Sequence, residues 1–388
     1  MYTIKTLNKI SPVGLKKFDK NYRFTEEIDE AQGILVRRFD MLDMDFSDNL
    51  LAIARAGAGV NNIPLEKCSE RGIVVFNTPG ANANAVKELV IGTLIADARN
   101  LHQAMLWVDS LVGQADVSKA VEKNKSRFAG RELKGKTICV IGLGAIGVIV
   151  ANAAEALGMK VIGYAPFMTI SAAHNMSNTI PLLTDLGSVL KKCDYVTVHV
   201  PATAETASMI NKDVIAQMKK GAVLVNFSRD KIVDETAVIE ALESGKLRRY
   251  ITDFANATIL GKKNVTVTPH LGASTEEAED NCACAAVGEL MEYLETGNIH
   301  NSVNFPACDL GPFLPQAGKS RICILNQNIS GMLGAITGAL AGMQVKMINK
   351  SNGKLACTMI DADSDVDEKQ IKDHLLQNPG ILAVRVIK

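Results

Sequence analysis

Residues 137–147 read Thr137-Ile-Cys-Val-Ile-Gly142-Leu-Gly144-Ala-Ile-Gly147, an apolar run that passes directly into three spaced glycines. In such a turn Gly142 allows a tight bend, Gly144 lets the backbone approach a pyrophosphate, and Gly147 permits close helix–strand packing. The free N–H groups of the helix start, at Ala145 and Ile146, would then face the phosphates. Because a strand precedes the motif and a helix and strand follow it, the pattern favours a dinucleotide-binding unit over a glycine-rich turn that binds nothing.

Apolar strands and helical stretches alternate on both sides of this motif. Continuous runs such as Gly33–Val36 and Gly72–Phe76 are typical of strands buried in parallel sheets. Residues 85–101 are predicted to form one long helix. The alternation after Lys136 predicts a doubly wound parallel sheet. Its predicted strands are Thr137–Ile141, Lys160–Tyr164, Tyr195–Val200, Ala222–Phe227, Tyr250–Asp253 and Val265–Thr268.

A stretch rich in proline and glycine, residues 305–319, ends this alternation. That composition is typical of a linker between domains. Residues 320–388 then follow a βαββαβ pattern, which predicts a small separate unit with a ferredoxin-like fold.

The overall composition excludes several classes of protein. The 388 residues carry 42 basic and 42 acidic side chains, and this balance argues against nucleic acid or an anionic membrane as the main partner. No apolar run approaches the ~20 residues that cross a bilayer, and the start lacks a signal-peptide pattern. The eight cysteines are scattered without a metal-type Cys-x-x-Cys pair. We therefore expect a cytoplasmic protein with reduced thiols and no metal site.

The residue after the second strand of the sheet bears on the choice of cofactor. At this position a dinucleotide-binding unit carries an acid that holds the adenosine ribose hydroxyls. Here the strand that ends at Tyr164 is followed by Ala165, and residues 166–170 contain no Arg or Lys for a 2′-phosphate. We expect NAD, with weakened discrimination against NADP.

Two polar side chains follow later strands of the same sheet. Arg229 ends the stretch Val225-Asn-Phe-Ser-Arg, and His270 ends Val267-Thr-Pro-His. An Arg clamps a carboxylate with its planar fork, and a His exchanges a proton near neutral pH. Beside a nicotinamide they predict the oxidation of a 2-hydroxy acid. The alternatives are a salt bridge at the sheet edge for Arg229 and a turn cap for His270.

These and other motifs together resemble the D-2-hydroxyacid dehydrogenase family. The matching stretches are Gly142–Gly147, Val198-His-Val-Pro201 followed by Thr206, Asn226-Phe-Ser-Arg229, Thr252-Asp253 and Pro269-His270-Leu-Gly-Ala-Ser. The likeness covers the chain up to the stretch rich in proline. Two further segments, Arg55-Ala-Gly-Ala-Gly-Val and Phe76-Asn-Thr-Pro-Gly, are most similar to the branch of the family that oxidises D-3-phosphoglycerate, the first step of L-serine synthesis.

The resemblance implies a role for each matching residue. Arg229 would hold the substrate carboxylate, and His270 would take the proton of the C2 hydroxyl. Asp253 would bind the nicotinamide carboxamide. The residues implied to border the cofactor are Gly142, Gly144, Ala145, Ile146, Gly147, Ala165, Pro201, Thr206, Phe227 and Ser228. The residues implied to face the phosphate end of the substrate are Arg55, Ala58, Gly59 and Asn77.

One family feature is missing from this chain. The family places a Glu between the Arg and the His, where it orients the imidazole. The corresponding stretch, Asp253-Phe-Ala-Asn-Ala-Thr258-Ile-Leu-Gly, has no carboxylate after Asp253, and Thr258 or Ala257 occupies the expected position. We expect the base to titrate at lower pH than in relatives that carry the Glu, and an impaired or repurposed protein is the alternative.

The tail, residues 320–388, resembles an ACT domain, a module that senses small molecules. The likeness rests on Asn328-Ile-Ser-Gly-Met-Leu and Ile348-Asn-Lys-Ser. It implies that Asn326 and Asn328 hydrogen-bond an effector, and L-serine is the hypothesis.

The resemblance also implies the fold class and the division into domains. A Rossmann-type doubly wound sheet, residues 96–280, would bind NAD and be inserted in a flavodoxin-like α/β substrate domain of residues 1–95 and 281–304. Residues 305–319 would link these to the ACT-like domain. Family members suggest a homodimer or homotetramer.

Two other functions stay open at this point. The chain could be another dehydrogenase of the family, such as a glyoxylate or hydroxypyruvate reductase, although Arg55 and the tail speak against it. It could also be a non-catalytic scaffold that senses NAD or serine, although Arg229 and His270 are both present.

Overall fold

The computed structural model describes residues 1–166 and 168–388 and divides them into two compact units. The first unit comprises Met1–Asn82 and Glu279–Lys388, and the second comprises Ala83–Ala278. This division differs from the sequence-based one in three places. Residues 83–95 belong to the second unit, residues 279–280 belong to the first, and so do the predicted linker and the tail, residues 305–388.

A five-stranded parallel sheet forms the N-terminal part of the first unit. Its order is β2-β1-β3-β4-β5, which is the flavodoxin-like order and confirms that prediction. The central strands are continuous apolar runs because both faces of the sheet are covered. The strands are β1 (Tyr2–Thr6), β2 (Tyr22–Phe24), β3 (Gly33–Val36), β4 (Ala52–Arg55) and β5 (Val74–Phe76), with the short helices α1 (Pro12–Leu15) and α2 (Leu65–Glu70) between them.

The second unit is built on a seven-stranded parallel sheet of order β12-β11-β10-β9-β6-β7-β8. The strands are β6 (Thr137–Ile141), β7 (Lys160–Tyr164), β8 (Leu182–Leu183), β9 (Tyr195–Val198), β10 (Ala222–Asn226), β11 (Leu247–Thr252) and β12 (Val265–Val267). The order reverses between β6 and β9, so the sheet is doubly wound as predicted. Ligands bind outside the carboxyl ends of strands at such a switch point.

Among the described residues, nine helices belong to the second unit or begin in it. They are α3 (Ala83–Ala98), α4 (Leu101–Asp109), α5 (Val117–Asn124), α6 (Ala145–Ala156), α7 (Ile170–Asn175), α8 (Leu186–Leu190), α9 (Lys212–Gln217), α10 (Glu235–Glu243) and α11 (Glu276–Thr296), of which α11 continues into the first unit. Short 3₁₀ turns lie at Ile28–Glu30, Lys125–Phe128 and Asp230–Ile232.

The prediction of one long helix over residues 85–101 is wrong at its C-terminal end. Helix α3 stops at Ala98, and Asn100 adopts the left-handed conformation with φ of 52°. A second helix, α4, then begins at Leu101 and carries no buried residue. Its apolar residues Leu101, Met105 and Val108 are spaced as on one helix face but remain exposed.

The tail of the first unit is an antiparallel sheet of order β14-β15-β13-β16 with two helices. Its elements are β13 (Ser320–Gln327), α12 (Met332–Gly338), β14 (Val345–Ser351), β15 (Leu355–Ala362), α13 (Glu368–Leu375) and β16 (Ile381–Ile387). The βαββαβ order confirms the ferredoxin-like fold that the sequence predicts.

The first part of the predicted linker, residues 305–313, is packed into the protein, and residues 314–319 are exposed. Phe305, Cys308 and Phe313 are buried in a core that also contains Tyr293 of α11 and Met359 of β15. The composition suggests a flexible connection, but these apolar side chains join the tail to the rest of the first unit.

In the part of the chain that the structure describes, no helix combines the length and the apolar character that crossing a membrane requires.

Candidate active site

The glycine turn at the end of β6 has the geometry that its sequence predicts. Gly142 has a φ of 89°, in the left-handed region, and its N–H donates to the carbonyl of Tyr164 at 2.8 Å. A Cβ on Gly147 would collide with the carbonyl oxygen of Gly142, so only glycine lets α6 start this close to the strand. A Cβ on Gly144 would meet no atom within 4 Å. The space beside Gly144 is therefore open to a ligand.

The start of α6 offers backbone donors for an anion. The first intrahelical bond runs from the N–H of Val148 to the carbonyl of Gly144, at 3.1 Å. Among the described residues, no acceptor takes the N–H groups of Ala145, Ile146 and Gly147. Three free N–H groups at the positive end of a helix dipole fit a pyrophosphate.

The end of β7 lacks the acid that holds ribose hydroxyls. Ala165 is half-buried and packs against the apolar core of the second unit. Pro166 beside it is exposed. The neighbouring Phe167, part of the stretch in which the sequence shows no basic residue, lies outside the described residues. Ala165 offers no carboxylate to the ribose hydroxyls. Weakened discrimination between NAD and NADP stays a prediction.

Two hydroxyl groups brace the loop that follows β9. The Thr206 hydroxyl donates to the carbonyl of Pro201 at 2.6 Å, and the Ser228 hydroxyl donates to the carbonyl of Val200. Phe227, between β10 and Ser228, is buried with 5% of its surface exposed. These side chains fix the loops at the carboxyl ends of β9 and β10, on the same edge of the sheet as the glycine turn.

Arg229 lies on the loop after β10 and is held by a residue that the sequence analysis missed. The fully buried side chain of Asn226 accepts from the N–H of Ser228 at 3.1 Å and donates to the carbonyl of Arg229 at 2.9 Å. The guanidinium of Arg229 donates to the carbonyl of Ser228 at 2.6 Å. No carboxylate in the described chain forms an ion pair with Arg229, which speaks against the alternative of a salt bridge at the sheet edge.

His270 follows β12, and its imidazole is exposed. Its ring packs edge to face on the half-buried ring of Phe254, with 5.1 Å between centroids and 72° between planes. The loop is tied to β11 by Asp253, whose Oδ2 accepts from the N–H of Gly272 at 3.1 Å. Asp253 and His270 are therefore neighbours, as the sequence order of the two strands predicts.

One carboxylate oxygen of Asp253 accepts no hydrogen bond within the protein. Only 2% of the residue is exposed, and its Oδ1 is buried without a hydrogen-bond partner. Burial raises the pKa of the Asp253 carboxyl, although the hydrogen bond from Gly272 and the nearby His270 oppose that shift. An unpaired buried acceptor is costly unless a donor arrives from outside. A carboxamide N–H of a nicotinamide would satisfy it, so the residues present fit NAD.

Ala257 and Thr258, the two candidates for the place of the absent family Glu, are both exposed. The nearest organised polar group is Asn256, whose Oδ1 accepts from the N–H of Thr258 at 2.9 Å and whose Nδ2 donates to Glu235 at 2.7 Å. Burial raises the pKa of the Glu235 carboxyl, opposed by the Asn256 hydrogen bond and reinforced by Asp230. Asn256 follows the end of β11, which is the signal that could have identified it, whereas Glu235 begins α10 and has no such signal.

The first unit contains the residues predicted for a phosphate group. Arg55 ends β4 and is half-buried, and a Cβ on Gly57 would collide with its guanidinium. The amide of Asn77 donates to the carbonyl of Ala58 at 2.7 Å and so braces the loop after β4. Within the described chain, no acceptor takes the N–H groups of Ala58 and Gly59. The loop thus combines a guanidinium with free backbone donors.

The two asparagines predicted for an effector differ in their surroundings. Asn326 is 2% exposed and donates to the carbonyl of Gln327 at 2.8 Å, while its Oδ1 is buried without a partner. Asn328 is exposed and donates to the carbonyl of Gly353 at 3.1 Å. Asn326 therefore has an acceptor available for a ligand.

Comparison with known proteins places this site in a family. Residues 91–272 match the family model described as D-isomer specific 2-hydroxyacid dehydrogenase, NAD binding domain. The chain is 33% identical over 366 residues to D-3-phosphoglycerate dehydrogenase of Methanocaldococcus jannaschii, covering 90% of this chain and 68% of the relative. The chain belongs to the D-isomer specific 2-hydroxyacid dehydrogenase family. The resemblance predicted from the motifs is confirmed, and the chain is an NAD-dependent dehydrogenase.

Two further comparisons agree with this assignment. D-3-phosphoglycerate dehydrogenase 1 of Saccharomyces cerevisiae is 31% identical over 389 residues, covering 93% of this chain and 80% of the relative. The structure of an NAD⁺-bound 3-phosphoglycerate dehydrogenase of Entamoeba histolytica superposes with a TM-score of 0.61 at 27% identity, covering 78% of this chain and 98% of that one. The dehydrogenase family thus accounts for the fold of most of the chain.

Proposed function

We propose that this dehydrogenase oxidises D-3-phosphoglycerate to 3-phosphohydroxypyruvate with NAD, the first step of L-serine synthesis. The observation that carries the proposal is Arg229, which lies after β10 without a carboxylate partner in the described chain, on the same sheet edge as His270 after β12. The relatives named D-3-phosphoglycerate dehydrogenase support the choice of substrate.

Each residue has a distinct task in this reaction. Bound NAD supplies the acceptor for the hydride that leaves C2 of the substrate. The guanidinium of Arg229 holds the substrate carboxylate with a planar pair of N–H groups and polarises the C2 oxygen. The imidazole of His270 takes the proton of the C2 hydroxyl, so that the C–H and O–H bonds break together with formation of the ketone. The buried Oδ1 of Asp253 accepts from the carboxamide.

The proposal assigns the phosphate end of the substrate to residues of the first unit. Arg55 supplies the positive charge, and the N–H groups of Ala58 and Gly59 supply hydrogen bonds. Asn77 acts on the loop through its hydrogen bond to the carbonyl of Ala58. Substrates without a phosphate group should lose these contacts.

Initial rates of NAD reduction with D-3-phosphoglycerate, D-lactate and D-glycerate test the proposal. We expect a clear preference for D-3-phosphoglycerate and a loss of about 10²–10⁴-fold in kcat for Arg229→Ala and His270→Ala, the range for a removed acid–base group. Equal rates with D-lactate would favour a dehydrogenase of broader specificity. An NAD-binding protein that reduces no NAD with any of the three would be the non-catalytic scaffold.

We further propose that L-serine regulates the enzyme through the tail as an ACT-like domain. The support is the buried, unpartnered Oδ1 of Asn326, which could accept from the α-amino group of an amino acid. Calorimetric titration of the full chain with L-serine should give heat that Asn326→Ala abolishes, while D-serine serves as the control. No heat with the unmodified chain would end this proposal without affecting the catalytic one.

A further inference from the structure

The imidazole of His270 lacks the carboxylate partner that the family resemblance implies. In the described chain no carboxylate hydrogen-bonds to the His270 ring, and Ala257 and Thr258 are the candidates for the place of the family Glu. An exposed imidazole on a loop rotates freely unless something holds it. A base that rotates freely spends little of its time aligned with the proton that it must take.

The ring of Phe254 is the group that contacts the imidazole. Its centroid lies 5.1 Å from that of His270 with the planes at 72°, an edge-to-face arrangement of the kind that aromatic pairs prefer. Such a contact restricts the imidazole to orientations in which its ring meets that of Phe254. The contact with Phe254 restricts rotation of the imidazole but, unlike the family Glu, places no negative charge beside it.

Phe254 is itself fixed by its neighbours. Its N–H donates to the hydroxyl of Thr252 at 3.3 Å, and its carbonyl accepts from the amide of Asn256 at 3.4 Å. Asn256 is in turn anchored to α10, because its Nδ2 donates to the carboxylate of Glu235 at 2.7 Å. On the other side, the Oδ1 of Asn256 holds the N–H of Thr258 at 2.9 Å. The loop that carries Phe254 is therefore braced on both sides.

We propose that Phe254 is a positioning residue for the base of this enzyme: its ring holds the His270 imidazole in the productive orientation, and Asn256 with Glu235 holds the loop of Phe254. The inference rests on the proposed role of His270 as the base. Phe254 touches neither hydride nor proton, and it acts only through the orientation of the imidazole. Substrate binding through Arg229 does not depend on it.

Kinetics of three variants with D-3-phosphoglycerate and NAD test this role. Phe254→Leu should lower kcat about threefold to tenfold, the range expected from an aromatic pair, with both KM values nearly unchanged. Phe254→Tyr keeps the ring edge and should restore kcat. The matched control is Phe128→Leu, which removes an aromatic contact of similar length, 5.2 Å to Trp107, elsewhere in the second unit. This control should leave kcat unchanged.

A background variant separates positioning from general damage. In the His270→Ala background, Phe254→Leu should cause no further loss, because the residue that it positions is gone. If Phe254→Leu unfolds the protein, Asn256→Ala takes its place, since it loosens the same loop, and it should give the same kcat-selective loss. An active enzyme that needs His270 but keeps its full kcat in Phe254→Leu would overturn the inference. If the unmodified enzyme does not oxidise D-3-phosphoglycerate, or if His270→Ala keeps its full kcat, the proposed function fails instead.

Discussion

His199 is a histidine that the fold keeps neutral. It follows β9, is half-buried, and its Nε2 lies 2.9 Å from the hydroxyl of Thr197. A Cβ on Gly142 would lie only 2.7 Å from the backbone carbonyl oxygen of His199, so His199 contacts the glycine turn. Burial lowers the pKa of the His199 imidazole from its ordinary value of 6.5 to about 4. The native state therefore binds this proton less readily than the unfolded chain does.

This lowered pKa predicts a loss of stability in acid. Stability due to the neutral imidazole is complete above the unfolded pKa of 6.5 and falls as the pH drops towards about 4. At pH 5 the loss should be about 2 kcal/mol relative to pH 8. Urea unfolding at both pH values should show that His199→Gln reduces this difference. The exposed His174 provides the control, and an equal reduction in His174→Gln would contradict the assignment.

The residues of the site were predictable to different degrees. Arg229 and His270 follow buried strands in the sequence, and the carboxyl ends of parallel strands share one edge, so their placement follows from the pattern. The sequence pattern did not predict that Asn226 supports Arg229 or that Phe254 contacts His270. Both depend on how loops fold back, and one-dimensional patterns contain no information on that.

At the scale of elements, buried strands were predicted best. The bounds of β6 and β7 agree with the predicted ones, and β6 leads directly into Gly142. Helices α4 and α5 carry no buried residue and have no corresponding prediction. The break at Asn100 was missed because its left-handed conformation leaves no mark in the apolar pattern.

The turn from β6 into α6 leads to a prediction about cofactor binding. Gly144 has φ of −83°, and its added Cβ would meet no atom within 4 Å, so Gly144→Ala should fold normally. The methyl group would nevertheless occupy the space in which a pyrophosphate approaches the backbone. We expect the dissociation constant of NADH, measured by fluorescence titration, to rise at least about tenfold. Gly92→Ala in α3, which also meets no atom within 4 Å, is the control and should bind NADH normally.

At the scale of the whole molecule, the buried side chain of Arg321 joins the tail to the rest of the first unit. Arg321 is fully buried, and its Nε and Nη2 donate to Asp361 of β15 at 2.6 and 2.9 Å. Its Nη1 donates to the carbonyls of Thr296, at the end of α11, and of Gly311, at 3.0 and 2.9 Å. The side chain thus connects the tail, the predicted linker and α11. A tail held this way differs from a module on a flexible tether.

Removing this arginine should destabilise the first unit strongly. Arg321→Met leaves two carbonyls and a carboxylate without their donor, and loss of one partner of a buried pair costs about 3 kcal/mol or more. Urea unfolding of the full chain measures the loss. The control is Arg23→Met, because the Arg23–Glu30 pair is 3.5 Å apart with both side chains more than half exposed, and it should cost less than about 1 kcal/mol. Equal losses in the two variants would mean that the hydrogen bonds of Arg321 add nothing to the stability of the first unit. A larger loss in Arg321→Met would instead mean that this buried arginine stabilises the junction of the tail, the predicted linker and α11.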